Sequence, residues 1–336
     1  MTSRLITSFV LAFLFATAFG KYYIPWLIRQ KAGQEIREDG PTWHMKKSGT
    51  PTMGGVMFIL AVALVLLTVG FAGMLKGQFV HIFVFVFALA FGLIGFLDDW
   101  EKIKKKQNLG LTAKKKFALQ LVASLIFVLL MERFGYISNN IYIPFFNKTV
   151  HIAKWLYFLL SAFIITGTVN AVNITDGVDG LATGTSLPVM LFFVAVTLFA
   201  GEKYSEQGIF ASALIGGLCG FLVYNFNPAK VFMGDTGSLF LGGAIAALVF
   251  AYDMPLVLIT LGFVFIVETL SDVIQVCYFK LTHGKRVFRM APFHHHLEMG
   301  GWTGKKWSEK ELFCLFTGVS LLFAILSFIG IRGKSF

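Results

Sequence analysis

The sequence consists largely of long apolar runs separated by short polar segments. Ten runs are about as long as the roughly 20 residues that a helix needs to cross the hydrocarbon core of a bilayer. They are residues 5–27, 52–71, 79–97, 116–132, 154–172, 181–200, 207–224, 237–251, 255–279 and 310–330. Because a backbone in lipid must satisfy its own hydrogen bonds, such runs predict helices. We therefore expect an all-α polytopic membrane protein of about ten transmembrane helices, with residues 1–336 forming a single integral-membrane domain.

Charge supports this class and predicts an orientation. Charged residues make up 14% of the chain, against about 25% in soluble domains. The loops after alternate runs, starting with the first, hold 19 Lys and Arg residues when Lys116, the first residue of its run, is counted with them. The opposite side, including both termini and Lys154 at the edge of its run, holds 8. The positive-inside rule then predicts that the first set is cytoplasmic and that both termini are outside. The net charge of +11 is therefore interpreted as a topology signal, with the lipid bilayer as partner and no nucleic acid.

The first apolar run and one connecting loop lead to further expectations. Residues 5–27 resemble a cleaved signal peptide at first, but the apolar character continues through Trp26 and Ile28, so we expect a retained first span. The longest loop on the opposite side, 133–153, contains Ile141 and Pro144 and is expected to form a short hairpin.

Two adjacent carboxylates, Asp98 and Asp99, close the third apolar run, and a lysine-rich segment follows. Adjacent carboxylates repel each other unless a cation or a proton relieves them. If the helix continues, Lys102 lies on the same face as both acids. Lys102 and Lys114 are candidates for holding phosphates, whereas most of the other lysines are typical of contact with anionic lipid.

Polar residues recur every three positions at Asn170, Asn173, Asp176 and Asp179. In one continuous helix the first and the last would face opposite ways. A helix that ends near Asp176, with Gly177 bending the chain, would let all four converge on one cleft. The alternative is an ordinary glycine-rich turn, but this segment has no lysine or arginine to neutralise its acids, which favours a site.

Two further segments combine glycine with polar residues at the start of an apolar run. In the segment 225–238, Asp235 either caps the following helix or ligates Mg²⁺, and Phe232 is available to stack on a base. In the segment 47–55, Pro51 and the glycines would let the backbone approach a ligand at a helix start. An ordinary helix entry is the alternative for the second segment.

The last two features lie near the carboxyl-terminal third of the chain. Glu268, Asp272 and Gln275 share one helical face, which we expect to look into protein or water. His294, His295 and His296 are consecutive, and such side chains point about 100° apart on a helix. We therefore expect them to donate to a phosphate or a uracil rather than to ligate one metal ion.

These segments resemble the signatures of the polyprenyl-phosphate N-acetylhexosamine-1-phosphate transferases. The resemblance rests on 98–102, 170–180, 232–238 and 291–296, in that order, and covers nearly the whole chain. It implies transfer of a phospho-sugar from a UDP-linked donor to a polyprenyl phosphate, with Mg²⁺ and with UMP as product. The segments 47–55 and 291–296 resemble in particular those members that use UDP-N-acetylmuramoyl-pentapeptide and undecaprenyl phosphate to make lipid I in peptidoglycan synthesis.

The resemblance also implies roles for individual residues. Asp98 and Asp99 match the catalytic acids, and Asp235 matches the Mg²⁺ ligand. The residues that match substrate-binding or surrounding polar positions are Lys47, Thr52, Lys102, Lys114, Asn170, Asn173, Asp176, Gly177, Asp179, Asn225, Phe232, Gln275, Ala291, His294 and His295. It implies a multi-pass location in the bacterial inner membrane with a cytoplasmic active site, and it leaves a homodimer open.

Two other functions compete with this interpretation. A sister transferase that uses UDP-N-acetylglucosamine shares most of the signatures, and the histidine segment argues against it. A transporter would show internal repeats and broken helices near the bilayer midplane. Here no repeat is visible and the polar groups gather at one predicted membrane face. Release of UMP in the presence of both substrates would distinguish an enzyme from a transporter.

Overall fold

The architecture comes from a computed structural model, which describes residues 1–30, 32, 47, 49–105 and 110–336. Long helices alternate with short connections, as the apolar runs predict. The helices are α1 Thr2–Arg29, α2 Gly55–Thr68, α3 Phe71–Met74, α4 Val80–Lys105, α5 Ala113–Arg133, α6 Lys154–Thr175, α7 Leu181–Ala200, α8 Ser205–Asn225, α9 Gly234–Ala251, α10 Leu258–Leu261, α11 Phe263–Leu281, α12 Phe293–Glu298 and α13 Glu309–Gly330. The predicted hairpin is confirmed, because β1 Asn140–Ile143 pairs antiparallel with β2 Lys148–His151.

The predicted class, an all-α polytopic membrane protein, is confirmed in its broad form. Among the described residues, seven helices are long and apolar enough to cross a membrane, and a bent pair raises this number to eight. The seven include α1, α4, α6, α7, α9 and α13, together with α8 and the short 3₁₀ turn that precedes it. The helix α2 has only 14 residues, and α5 carries Lys114, Lys115 and Lys116 in its first turns.

The predicted span 255–279 is bent rather than a single straight helix. The chain bends by 79° between the Pro255–Leu261 segment and α11. Gly262 lies at the bend, where it ends α10 and begins α11. Its amide donates to Leu258 and its carbonyl accepts from Ile266, so the two helices satisfy their backbone hydrogen bonds on either side of the break.

The helix α9 lies at the centre of the bundle. Every residue from Thr236 to Ala251 is buried, and α2, α4 and α6 pack around this helix. Gly95 lets α4 approach closely, because a Cβ at this position would overlap the backbone carbonyl of Asp235. The absence of that side chain brings the end of α4 against the start of α9, where the acidic residues of both helices lie.

Candidate active site

Three carboxylates meet where α4 ends and α9 begins. The side chains of Asp98, Asp99 and Asp235 each offer an oxygen within 4.8 Å of the others. Asp98 and Asp99 are buried, and Asp235 is half-buried. The structure thus brings together the two adjacent acids and the third acid that lies more than 130 residues further along the chain. We call Asp98, Asp99, Asp235, Lys102 and Lys116 the carboxylate cluster.

Asp99 caps the first turn of α9. Its Oδ1 accepts a hydrogen bond from the Asp235 amide at 3.1 Å, and its Oδ2 accepts from the Thr236 amide at 2.9 Å and the Thr236 hydroxyl at 2.7 Å. A carboxylate is favourable there because the helix N-terminus presents unpaired amides and a partial positive charge. Gly234 has a φ of 70°, and a Cβ there would lie 2.5 Å from Asp99 Oδ2. Asp99 is therefore the acid that caps this helix, and the capping role considered for Asp235 is wrong.

Asp235 instead points toward two lysines. Lys102 Nζ lies 2.6 Å from Asp235 Oδ2 and 2.6 Å from Asp98 Oδ2. Lys116 Nζ lies 3.0 Å from Asp235 Oδ2 and 3.9 Å from Asp98 Oδ2. Three carboxylates thus share two ammonium groups. The remaining negative charge and the carboxylate oxygens are the features that suit a Mg²⁺ ion.

Lys116, rather than Lys114, reaches the carboxylate cluster. Lys114 is exposed on α5, and the two side chains point about 200° apart on a helix. Lys116 was not predicted from the sequence. The sequence signal that could have identified Lys116 is its four-residue spacing from Gln120 and Ser124, which places the three polar residues on one face of the helix. In the structure both Gln120 and Ser124 are buried on that face.

The four polar residues between 170 and 179 do not converge on one cleft, so that expectation is wrong. Asn173 Nδ2 donates to Asp235 Oδ1 at 2.6 Å and thereby joins the carboxylate cluster. Asn170 Nδ2 donates to Gln120 Oε1 at 2.7 Å instead. Asp179 lies beyond the end of α6 and pairs with Lys47. The predicted helix end is confirmed, since Asp176 is the C-cap of α6, but Asn170 still lies within the helix and keeps its helical direction.

Asp176 lies close enough to Asp99, Asp235 and Asp179 for the charge of each to act on its carboxyl. Burial raises the pKa of the Asp176 carboxyl well above its ordinary value, and the charges of Asp235 and Asp99 raise this pKa further. Gly177 follows in the turn, and the His294 ring lies against it. This turn therefore connects the carboxylate cluster with the histidine helix α12.

Lys47 forms a second charged cluster. Its Nζ lies 2.7 Å from Asp179 Oδ1 and 2.6 Å from Glu309 Oε2. Asp179 Oδ2 accepts from Asn227 Nδ2 at 3.1 Å and from the Ala229 amide at 2.9 Å. Sequence reasoning selected Lys47 and Asp179 but missed Glu309. The polar segment 305–311, in which Ser308 and Glu311 form a capping box, marks the helix start where Glu309 lies, but it gives no sign of contact with Lys47.

The three histidines of α12 have different partners, as their spacing predicted. His294 Nδ1 lies 2.8 Å from Glu268 Oε2, with both side chains buried. His295 Nδ1 lies 2.6 Å from Glu298, and His296 Nδ1 accepts from the Arg289 amide at 3.1 Å. Burial alone would lower the pKa of His294, but the Glu268 carboxylate outweighs that effect and leaves the pKa above its ordinary value. The prediction that Glu268 faces protein is confirmed.

The remaining predicted residues surround these clusters. The Thr52 hydroxyl lies beside Gly234, next to Asp99. The amide of Phe232 donates to the Pro51 carbonyl at 2.9 Å, and the Phe232 ring is half-buried.

Two of the predicted amides brace loops. Asn225 Nδ2 donates to the Val231 carbonyl at 2.9 Å. Gln275 Oε1 accepts from the Val287 and Phe288 amides at 3.1 and 3.0 Å. Ala291 is half-buried just before α12. Apart from Lys114, the predicted residues thus gather around the carboxylate cluster, the Lys47 cluster or the loops that hold them.

Comparison with known proteins identifies the relatives of this chain. The model of glycosyl transferase family 4 matches residues 81–253, and signature 1 of phospho-N-acetylmuramoyl-pentapeptide-transferase matches residues 47–59. A curated protein of that name from Listeria monocytogenes is 43% identical over 96% of this chain and 97% of its own length. Its counterpart from Caldanaerobacter subterraneus is 42% identical over 98% and 99%, and that from Clostridium botulinum is 44% identical over 98% of each chain.

Proposed function

Because the chain belongs to the phospho-N-acetylmuramoyl-pentapeptide-transferase family, we propose that its carboxylate cluster performs the transfer that this name describes. The donor is UDP-N-acetylmuramoyl-pentapeptide, the acceptor is undecaprenyl phosphate, and the products are lipid I and UMP. The chain is thus a transferase of peptidoglycan synthesis. The observation that carries the proposal is the meeting of Asp98, Asp99 and Asp235 beside two lysines, inside the family match.

Asp235 is the proposed ligand of Mg²⁺, with Asp98 and Asp99 beside it. Three facts support this assignment: the oxygens lie within 4.8 Å of one another, carboxylates outnumber ammonium groups in the cluster, and Asp235 keeps part of its surface exposed. When bound, Mg²⁺ would neutralise charge that develops on the departing UMP.

In the proposed reaction, an oxygen of the lipid phosphate attacks the phosphorus that carries the sugar. A new phosphorus–oxygen bond forms, the bond to the UMP oxygen breaks, and UMP leaves with that electron pair. The second pKa of a phosphate monoester is about 6, so much of the lipid is already a dianion at pH 7. Such a nucleophile needs position and charge screening, which Lys102 and Lys116 supply at Asp98 and Asp235. Asp98 takes the last proton from any monoanion that binds.

The nucleotide portion of the donor is proposed to bind beside this cluster. Lys47 and Asp179 form one edge, and Asn173, which donates to Asp235, lies at the carboxylate cluster. Phe232 offers a half-buried ring for stacking on the base. His294 and His295 are proposed as donors to the substrate rather than as nucleophiles, since carboxylates hold one nitrogen of each ring.

The active site is proposed to face the cytoplasm from the bacterial inner membrane, with both termini outside. The support is the 19 to 8 distribution of Lys and Arg between the two sets of loops. Single cysteines introduced at Lys105 and Asn147 are expected to react with an impermeant reagent from opposite sides of the membrane. Labelling of both positions from the same side would contradict this topology.

A single-turnover experiment tests the function and the order of the chemistry. Purified full-length protein with Mg²⁺ and labelled UDP-N-acetylmuramoyl-pentapeptide is expected to release UMP only after undecaprenyl phosphate is added, with no label on the protein. If no UMP appears with both substrates present, the function is wrong. Stoichiometric UMP release with labelled protein and no lipid would show covalent catalysis instead of direct attack. UDP-N-acetylglucosamine serves as the control donor, and turnover with it alone would favour the sister transferase.

A further inference from the structure

We propose that Glu309, at the start of the last helix, is a positioning residue for the nucleotide-sugar donor. Its carboxylate holds the Lys47 ammonium and the Asp179 backbone amide in the arrangement that binds a nucleoside diphosphate. This inference rests on the proposed function, because it assumes that Lys47 and Asp179 contact the donor. It adds a residue that neither the segment 47–59 nor the segment 170–180 contains.

Glu309 contacts both Lys47 and Asp179, the two residues proposed to form one edge of the donor site. Its Oε2 lies 2.6 Å from Lys47 Nζ and accepts from the Asp179 amide at 3.1 Å. Asp179 contacts the same ammonium through Oδ1 at 2.7 Å, while its Oδ2 accepts from Asn227 and Ala229. One carboxylate oxygen of Glu309 thus contacts both Lys47 and the turn between α6 and α7.

A lysine side chain has several rotatable bonds, and ordering it costs up to about 2 kcal/mol of conformational entropy. Lys47 is still 20% exposed, whereas the Glu309 side chain is 13% exposed. Two carboxylates on one ammonium restrict the direction of Lys47 before any ligand arrives. Preorganisation of this kind improves affinity because the cost of ordering is not incurred on binding.

Glu309 is itself held on a rigid support. It lies in the first turn of α13, where the helix N-terminus favours a negative charge. Ser308 caps that turn in a reciprocal arrangement with Glu311, and α13 packs along α7. Since α7 begins directly after the Asp179 turn, Glu309 and Asp179 are attached to two helices that contact each other.

The test compares equilibrium binding with steady-state kinetics on the full-length protein. Glu309→Ala is expected to weaken binding of UDP-N-acetylmuramoyl-pentapeptide about 10-fold, or ~1.4 kcal/mol, and to raise KM for this donor equally. The kcat and the KM for undecaprenyl phosphate are expected to stay within about twofold, a split that a general loss of structure would not give. Glu309→Gln keeps an acceptor oxygen and is expected to restore part of the affinity.

Glu311→Ala is the matched control. Glu311 lies on the same helical turn, but its carboxylate contacts Ser308 and Lys305 rather than Lys47 or Asp179. The Ser308 hydroxyl still accepts from the backbone amide of residue 311 in this variant, so the turn keeps its N-cap and donor binding is expected to stay unchanged. In a Lys47→Ala background, Glu309→Ala is expected to cost less affinity than it does alone, because the ammonium that it positions is gone and only its contact with the Asp179 amide remains. An additive loss, an equal loss in Glu311→Ala, or an unchanged donor affinity in Glu309→Ala would each overturn the proposal.

Failure of this inference can be distinguished from failure of the proposed function. If the natural protein binds the donor but releases no UMP with both substrates, the function is wrong, while the affinities of the variants still decide the role of Glu309. If the natural protein binds no donor, both conclusions fall. If Glu309→Ala does not fold, the Glu309→Gln variant decides the question through its donor affinity.

Discussion

The helix α4 carries a buried charged cluster near each end, and the two clusters differ in balance and access. At its start, His81 Nδ1 lies 3.3 Å from Glu206 Oε2 and Arg4 Nη1 lies 2.9 Å from Glu206 Oε1. We call Arg4, His81 and Glu206 the distal cluster. At the other end of α4 lies the carboxylate cluster.

The distal cluster is balanced, and its carboxylate is buried. It has one carboxylate and one guanidinium, and the side chains of His81 and Glu206 are 0% and 4% exposed. Arg4 Nη2 also donates to the Val69 carbonyl at 3.0 Å. These residues come from α1, α4 and α8, so their contacts tie three helices together. A buried charge of this kind is tolerated because it is paired.

The carboxylate cluster is unbalanced, and one of its carboxylates is partly exposed. Three carboxylates share two ammonium groups, and the side chains of Lys102, Lys116 and Asp235 are 26%, 17% and 14% exposed. The comparison teaches that burial of charge does not by itself indicate function. An excess of carboxylates and a partly exposed acid distinguish the carboxylate cluster, for which cation binding is proposed, from the distal cluster, whose contacts hold helices together.

The largest expected effect on turnover comes from Asp235→Asn. The variant keeps the shape of the side chain but removes the charge that is proposed to hold Mg²⁺. Loss of metal assistance is worth several kcal/mol, so turnover is expected to fall about 10³-fold or more. Mg²⁺-dependent changes in nucleotide binding are expected to disappear as well. Near-normal activity at ordinary Mg²⁺ concentrations would show that Asp235 is not the ligand.

A smaller effect is expected from Lys116→Met. It removes an ammonium that lies 3.0 Å from Asp235, and a hydrogen bond to a charged group contributes about 1.5–3 kcal/mol. Turnover should therefore fall about 10- to 100-fold. Lys114→Met is the matched control, because Lys114 is exposed on the same helix, and its turnover should change less than about twofold. Equal losses in the two variants would mean that the positive charge of the first turns of α5, rather than the contact with Asp235, matters.

The smallest effect on turnover is expected from Arg4→Met in the distal cluster. It leaves Glu206 buried without its cation, which destabilises a buried pair by about 3 kcal/mol at the lower end of the usual range. The lower value of the destabilisation applies because the Arg4 side chain is 33% exposed. The Tm in detergent should fall while turnover per folded molecule stays within about twofold. Lys76→Met, an exposed cation near the same end, should leave the Tm unchanged. A large loss of turnover without a loss of Tm would overturn the structural role of this cluster.

The sequence alone determined the features that are local along the chain. The apolar runs predicted the helices, and the end of α6 near Asp176 followed from the polar residues and glycines around it. The different directions of His294, His295 and His296 followed from helical geometry. Each of these depends on the spacing of residues within one segment, which periodicity describes directly.

Only the tertiary structure decided which of the polar residues meet. It selected Lys116 over Lys114, assigned Asn170 to Gln120, made Asp99 rather than Asp235 the acid that caps α9, and brought Glu309 to Lys47. It also placed the bend at Gly262. These outcomes depend on how separate helices pack and on close approaches such as that of Gly95 to Asp235. The spacing of residues within one helix carries no information on the angle or depth at which a distant helix packs against it.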